Sequence, residues 1–228
     1  MAATVRARVR AQLIEEIKDA ARRQLATEGA NLSLRAIARD LGMVSSALYR
    51  YFASRDELLT ALIIDAYDDL GAAAENGDAA VADRADLRAR WLAAGHAIRA
   101  WALAKPAEYA LIFGSPVPGY AAPAATTVAA LRTPAALVRI LIDGVAGGAL
   151  ADPGTAGVPG AVRADLARIQ DGFAPGVPES LLARGISGWI HMFGAISFEL
   201  FGQLNNVVDA RAEYFDYQLR QAADLIGI

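Results

Sequence analysis

Basic residues are concentrated at the start of the chain, where they could bind a negatively charged polymer. The first 60 residues contain ten basic and seven acidic side chains, a net charge of +3, whereas the whole 228-residue chain carries −3. The remaining residues therefore carry −6. A basic segment ahead of an acidic body is typical of a small polyanion-binding module attached to a larger domain.

Arg55 occupies a position where a positive charge is unfavourable unless an anion lies beside it. The sequence Ser54-Arg55-Asp56-Glu57 has the Ser-x-x-Glu form of a capping box, which predicts that a helix begins here. A cation in the first turn opposes the helix macrodipole and costs about 0.3–1 kcal/mol. A bound phosphate would compensate for that cost, and the alternative is a freely solvated arginine.

The segment just before Arg55 has the residue spacing of a helix-turn-helix. Ala38 is small where two helices would cross, and Gly42 follows where a tight turn needs positive φ. Leu48 would then fill the gap between the two helices. A small residue, a glycine and an aliphatic residue at this spacing are the sequence form of the motif.

The elements that must position these residues are helices throughout. Apolar periodicity and cap residues, including Ser33 ahead of the second helix, predict an all-α fold without strands. Asn76-Gly77-Asp78 is the first clear break after the helix-turn-helix. The predicted helices cover residues 9–28, 33–41, 46–52, 54–74, 83–104, 106–113, 124–150, 161–170, 179–202 and 207–226.

Residues 9–60 resemble the TetR family of transcriptional regulators. The matching positions of its signature are Ile37-Ala38, Gly42, Leu48-Tyr49, Tyr51-Phe52, Ser54 and Leu58. The resemblance implies a three-helix DNA-binding head at residues 1–60, joined by a connecting helix to an all-α ligand-binding and dimerisation domain at residues 61–228. Val44 replaces the usual Ser, so we expect Ser45 to cap the recognition helix.

The resemblance also implies roles for individual residues of the head. The residues expected to contact base edges are Arg35, Ser45, Ser46, Ala47 and Arg50. Those expected to hold phosphates are Ser33, Tyr49, Tyr51 and Arg55. Hydroxyls, arginines and helix N-termini are the usual phosphate donors, and small side chains let a helix enter the major groove. Arg6, Arg8 and Arg10 could form a further DNA-touching arm or a solvated, frayed terminus.

The last two helices are expected to form a homodimer interface. Apolar residues of the final helix recur at spacings of four and three, and Gly188, Ala195 and Gly202 lie seven apart on the helix before it. Two such helices from each chain can form a four-helix interface, the usual arrangement in the family. The alternative is packing within one chain. The residues of the final seam are Val208, Ala212, Phe215, Leu219, Ala222 and Ile226.

Bulky residues of the second domain are candidates to face a small-molecule cavity. Trp189-Ile190-His191 with Gly194, together with Pro106, Tyr109 and Phe113-Gly114, resembles a WHG-type C-terminal domain found in some TetR-family proteins. For each candidate the alternative is an ordinary core role. The candidates are Trp91, Trp101, Tyr109, Phe113, Trp189, His191 and Met192.

Other function classes lack the residues that they require. The chain has no cysteine, and its two histidines, His96 and His191, are not part of a zinc-binding motif. Phosphate-binding glycine loops and the nucleophile elbow are also missing. We therefore expect no enzyme activity, no cofactor and no metal. Prolines and glycines break the longest uncharged stretch, so a soluble, cytoplasmic protein with no membrane contact is expected.

The sequence thus predicts a homodimeric, DNA-binding transcriptional regulator. The expected form is a repressor that a small-molecule effector releases from a palindromic double-stranded DNA operator. The alternative is an all-α small-molecule binding protein whose head no longer reads DNA. The intact set Tyr49, Arg50, Tyr51 and Arg55 favours the regulator.

Overall fold

The computed structural model describes residues 2–29 and 31–228, with side chains from residue 5 onward. The described residues form helices and no strand, so the predicted all-α class is confirmed. The eleven helices in chain order are α1 (Ala2–Glu28), α2 (Leu34–Asp40), α3 (Ser45–Leu48), α4 (Arg55–Ala79), α5 (Leu87–Ala104), α6 (Pro106–Phe113), α7 (Ala125–Ala130), α8 (Arg132–Ala146), α9 (Gly160–Phe173), α10 (Glu179–Leu200) and α11 (Arg211–Ile226).

The chain divides into two compact units. The first takes the residues up to Asp68 together with Lys105–Ala130, and the second takes Asp69–Ala104 together with Leu131–Ile228. α4 is one continuous helix that contributes residues to both. The predicted boundary after residue 60 falls within α4, and α6 packs against α1 in the first unit.

The core of the first unit is the apolar face of α1 packed on the two short helices. Ile17, Ala21 and Leu25 of α1 are fully or almost fully buried, as their spacing of four predicts. They contact a cluster that includes Ile37 and Leu48. The first unit therefore holds α2 and α3 through a single hydrophobic core.

Two of the predicted helix starts are confirmed and one is corrected. The Ser33 hydroxyl accepts a hydrogen bond from the Ala36 N–H at 3.3 Å, and the Ser54 hydroxyl accepts one from the Glu57 N–H at 3.1 Å. The expected cap at Ser45 was wrong, because Ser45 is the first helical residue. The N-cap is Val44, which has no side-chain acceptor to offer.

α4 also continues past the break that the sequence predicts at Asn76-Gly77-Asp78. The helix ends at Ala79 instead of near Ala74. A Cβ at Gly77 would lie 2.7 Å from the Ala93 carbonyl oxygen, so the glycine lets α4 approach the backbone of α5 closely. The glycine that looked like a stop is therefore a packing position inside the helix.

Candidate DNA-binding surface and ligand cavity

The turn between α2 and α3 has the conformation that the helix-turn-helix spacing predicts. Gly42 has φ of +66°, a left-handed conformation that glycine adopts without steric cost. Ala38 and Leu48 are completely buried between the helices. The Met43 N–H donates to the Ala38 carbonyl at 2.8 Å and closes the turn.

This packing leaves the polar residues of α3 facing outward. Ser46 and Arg50 are exposed, and Tyr49 is 47% exposed at the C-cap. Ser45 and Ala47 are half-buried. Five residues of α3 and its C-terminal turn therefore lie at or near the surface, beside the completely buried Leu48.

The remaining predicted DNA contacts lie at the start of α2, just after α3 and at the start of α4, all within the first unit. Arg35 is exposed in the first turn of α2, next to the cap residue Ser33. Tyr51 is half-buried against the core, and the Arg10 guanidinium lies 5.2 Å from its ring centroid. Arg55 begins α4 and lies 3.5 Å from the Asp56 carboxylate.

Two cations in the second half of α1 are ion-paired with a carboxylate of α4. Lys18 and Arg22 both contact Asp65, at 2.8 and 2.6 Å. Burial alone would lower the pKa of Lys18, but the carboxylates of Asp65 and Glu15 outweigh it and raise the pKa above its ordinary value. These charges hold α1 to α4 and are not available for a ligand.

Arg35 and Arg50 differ from those cations. Both are exposed, and neither forms an ion pair with any residue that the structure describes. An exposed arginine without a carboxylate neighbour presents its full positive charge and five N–H donors to an anion. Arg35 lies on α2, and Arg50 lies in the turn directly after α3.

A deep apolar cavity of about 420 Å³ lies in the second unit. Trp91, Leu137, Leu141 and Leu182 are its buried walls. No ionisable side chain of the described residues lines it. The remaining lining residues are Leu131, Pro134, Val138, Ile169, Gly172, Phe173, Gly185, Ile186 and Trp189.

Two of the seven bulky residues singled out from the sequence line this cavity, namely Trp91 and Trp189. Tyr109 and Phe113 lie together on α6 in the first unit, with ring centroids 5.0 Å apart. Trp101 and Met192 are buried in the second unit outside the cavity wall, and His191 is exposed and hydrogen-bonded to Gln218. Most of the lining comes from aliphatic residues of α8, α9 and α10, for which the sequence offered no specific signal.

A buried charge network ties α4 to the helices that form the cavity. The Arg90 side chain is completely buried next to Trp91. Its Nε lies 2.7 Å from Asp78 Oδ1 and its Nη2 lies 2.8 Å from Asp143 Oδ2, so it links α4, α5 and α8. Burial would raise the pKa of both carboxyls, but the arginines outweigh it and hold each pKa below its ordinary value.

A second contact joins α4 to α8 at the rim of the cavity. Arg132, between the lining residues Leu131 and Pro134, makes two hydrogen bonds to the Glu75 carboxylate at 2.8 and 2.7 Å. Its aliphatic stem crosses Gly71, where a Cβ would lie 2.5 Å from the arginine Cγ. The last turns of α4 are thus fixed to α8 at two places.

Four of the six residues of the predicted seam are buried within the second unit, whereas Ala212 is exposed and Val208 is half-buried and precedes α11. Phe215, Leu219, Ala222 and Ile226 are each no more than 2% exposed, and Gly188 lets Ile226 approach α10 closely. A different face of the two helices is open. Its exposed apolar residues are Ile190 and Phe198 of α10, Phe201 at its C-cap, and Tyr217 and Leu225 of α11.

The described part of the chain offers neither a metal centre nor a membrane span. No group of three or more His, Asp or Glu side chains is placed to hold a metal ion there. Within the same residues, no helix is both long and apolar enough to cross a membrane.

Both parts of the chain match known sequence families. Residues 17–62 match the model of the bacterial regulatory proteins of the tetR family, and residues 91–222 match that of the tetracyclin repressor-like C-terminal domain. The chain is 40% identical over 219 residues to the HTH-type transcriptional regulator Rv1816 of Mycobacterium tuberculosis, covering 92% of this chain and 91% of that protein. The same figures hold for the HTH-type transcriptional regulator Mb1846 of Mycobacterium bovis.

Solved structures agree with these matches. The crystal structure of the putative regulatory protein SCO4313 is 39% identical with a TM-score of 0.76, over 95% of this chain and 98% of that one. The TetR family transcriptional regulator PfmR from Thermus thermophilus is 20% identical with a TM-score of 0.56, over 92% and 96% of the two chains, and supports the fold. The helix-turn-helix geometry, the two family matches and these relatives lead to one conclusion. The chain belongs to the TetR family of transcriptional regulators.

Proposed function

We propose that this regulator is a cytoplasmic homodimeric repressor that a small-molecule effector releases from a palindromic operator. The observation that carries the proposal is that Arg35 and Arg50 are exposed and form no ion pair among the described residues, on a helix-turn-helix whose core residues Ala38 and Leu48 are completely buried. Two such heads would occupy successive major grooves about 34–36 Å apart.

Within each head, we assign base contacts to the exposed edge of α3. Ser46 and Arg50 are exposed, and the small side chains of Ser45 and Ala47 let the helix approach the bases. Arg35 would add a base contact from α2. The phosphate contacts would come from Ser33, Tyr49, Tyr51 and Arg55, whose hydroxyl and guanidinium groups are of the kind that usually bind phosphates.

The proposed dimer forms through α10 and α11 by the face that the protomer leaves open. Ile190, Gly194 and Phe198 follow one another at spacings of four on α10, so they share one face. A Cβ at Gly194 would meet nothing within 4 Å beyond its own helix. Packing within the protomer therefore does not require a glycine at this position. Its place between two exposed apolar residues supports close approach of a second copy.

A matched pair of variants tests this interface. Phe198→Glu should convert the dimer to a monomer in size-exclusion chromatography with light scattering, because it buries a charge between apolar faces. Val128→Glu changes a 78% exposed residue of the first unit and should leave the mass unchanged. A dimer that survives Phe198→Glu would place the interface elsewhere.

The effector site that we propose is the cavity in the second unit, and its lining indicates an uncharged, mainly apolar ligand. The described walls contain no ionisable residue, and the Trp91 Nε1–H is already donated to the Leu219 carbonyl at 3.1 Å. A buried carboxylate would find no counter-charge and would lose its hydration. Occupancy could reach α4 through Arg132–Glu75 and the Arg90 network, provided that the ligand favours one state.

The ligand class is tested by titrating tryptophan fluorescence with decan-1-ol and with decanoate at pH 8. These probes share a chain length and differ in charge. The alcohol should bind at least about tenfold more tightly, since a factor of that size corresponds to only about 1.4 kcal/mol of desolvation. Val138→Phe, which fills the cavity, should abolish the signal, and Val162→Phe on the exposed side of α9 should not.

Binding to DNA is the test of the regulator itself. The purified protein should prefer its own upstream intergenic DNA to random duplex, with affinity that falls steeply as salt rises. Arg50→Ala should lose preference at one base position, whereas Arg55→Ala should weaken all sequences alike and lower the salt dependence. A protein that binds the alcohol but neither duplex would instead support the alternative, a small-molecule binding protein whose head no longer reads DNA.

A further inference from the structure

The first helix extends well before the part of the chain that matches the family's DNA-binding domain. α1 begins at Ala2, whereas the match to the family's DNA-binding domain begins at residue 17. The fifteen residues before that match add about 22 Å of helix. Residues 5–12 are all exposed, and the contact of α1 with the core begins at Leu13 and Ile14. The start of α1 therefore projects from the first unit.

The arginines of this projecting segment do not stabilise α1 itself. Arg6, Arg8 and Arg10 lie in its first turns, and the first acidic residue of the chain is Glu15. Cations near a helix N-terminus oppose the macrodipole. None of the three arginines forms an ion pair with a residue in the described part of the chain. Their charge is thus uncompensated within the described protomer.

One contact relates this segment to the DNA-reading surface. The Arg10 guanidinium lies 5.2 Å from the ring centroid of Tyr51, the residue that follows Arg50. Arg6 lies one turn earlier, about 40° around the helix from Arg10, so it extends the same face. Arg8 lies about 160° from Arg10, on the opposite face. Arg6 and Arg10 therefore lie on the side of α1 that meets Tyr51, one of the proposed phosphate contacts.

We propose that residues 5–10 of α1 are a second DNA-contacting element, which binds backbone phosphates beside the half-site through Arg6 and Arg10. The inference rests on the proposed function, because it assigns these arginines to the DNA that the helix-turn-helix reads. Guanidinium groups on one helix face bind phosphates without reading sequence. The element adds affinity, salt dependence and footprint length, and leaves base preference unchanged.

The experiment is a salt series of binding to random-sequence duplex, using the full chain. Each phosphate neutralised contributes about 0.9 to the slope of log K against log salt. Arg6→Ala with Arg10→Ala should therefore reduce the slope by about 1.8 per protomer. Between about 50 and 200 mM salt, wild-type affinity should then fall about 12-fold more per protomer than that of the double variant.

Arg8→Ala is the matched control, because it removes the same charge from the opposite face of the same helix. It should retain the wild-type slope. Hydroxyl-radical footprinting should show a shorter protected region for the double variant only, and unchanged thermal melting would exclude a folding defect. If the double variant keeps the wild-type slope, or if Arg8→Ala loses as much slope per charge as the double variant, the inference is overturned. A wild type that binds no duplex would instead remove the proposed function itself.

Discussion

Arg90 provides the sharpest test of how the second unit is held together. Its guanidinium is completely buried and makes four hydrogen bonds: two to Asp78 at 2.7 and 3.3 Å, one to Asp143 at 2.8 Å and one to the Arg84 carbonyl at 3.0 Å. Arg90→Met keeps most of the volume of the side chain and removes its charge. The two carboxylates are then left at 14% and 34% side-chain exposure.

The expected loss in the free energy of unfolding depends on the ion pairs that each carboxylate retains in the variant. Breaking a buried ion pair by removing one partner costs about 3–5 kcal/mol. Asp78 retains Arg84 at 2.5 Å, and Asp143 retains Arg139 at 3.0 Å and is one-third exposed. These remaining contacts place the expected loss at the lower end, at about 3 kcal/mol of the free energy of unfolding.

Urea denaturation followed by tryptophan fluorescence measures this loss, since Trp91 adjoins Arg90. Arg139→Ala is the control, because it removes an arginine that is 70% exposed from the same Asp143 and should cost no more than about 0.5 kcal/mol. Adding Asp78→Asn to Arg90→Met should recover part of the stability by removing a stranded charge. A loss below about 1 kcal/mol for Arg90→Met, or one equal to that of Arg139→Ala, would refute the reasoning.

Three further predictions concern pH, packing and capping. The folded pKa values of Asp78 and Asp143 are lowered, so their contribution to stability is present above the unfolded carboxyl pKa of about 3.9 and is lost as pH falls below it. In an acid titration, the free energy of unfolding should therefore fall less steeply in Arg90→Met than in wild type. Gly77→Ala should lower the melting temperature despite the better helix propensity of alanine, because its Cβ would lie 2.7 Å from a backbone oxygen of α5. Ser54→Ala should cost about 1 kcal/mol in urea denaturation by removing the acceptor of the Glu57 N–H, and no loss would mean that the capping bond is dispensable.

The head could be predicted from sequence because its constraints are local. Ser33 and Ser54 cap helices through hydrogen bonds to residues three positions away, and Gly42 adopts the positive φ that a short turn requires. The break predicted at Asn76-Gly77-Asp78 depended on propensity alone. There, tertiary contacts to α5 and the ion pairs of Asp78 outweigh the local preference and extend α4 to Ala79.

The periodic seam of the final helix shows a different limit. A repeat of apolar residues fixes which face of a helix is buried, but it does not say whether the covering surface belongs to the same chain. Phe215 and Leu219 are covered by their own protomer, and the open face of α10 carries residues such as Phe198 that follow no long repeat. The cavity is similar, because it depends on which distant helices meet, and aliphatic residues such as Leu137 and Ile169 have no individual signature.

In this chain, whether an arginine is paired with a carboxylate says more about its function than the net charge does. In the second unit, Arg90 and Arg132 are bound to carboxylates, and Arg99 is held at 2.7 and 2.6 Å by the two oxygens of Glu199. These three arginines connect helices of the second unit. In the first unit, Arg35 and Arg50 are exposed and have no such partner among the described residues. Net charge cannot separate these two uses of one residue type. The ion pairs distinguish the two uses. Only an arginine without a carboxylate neighbour can bind an external phosphate without first giving up an internal contact.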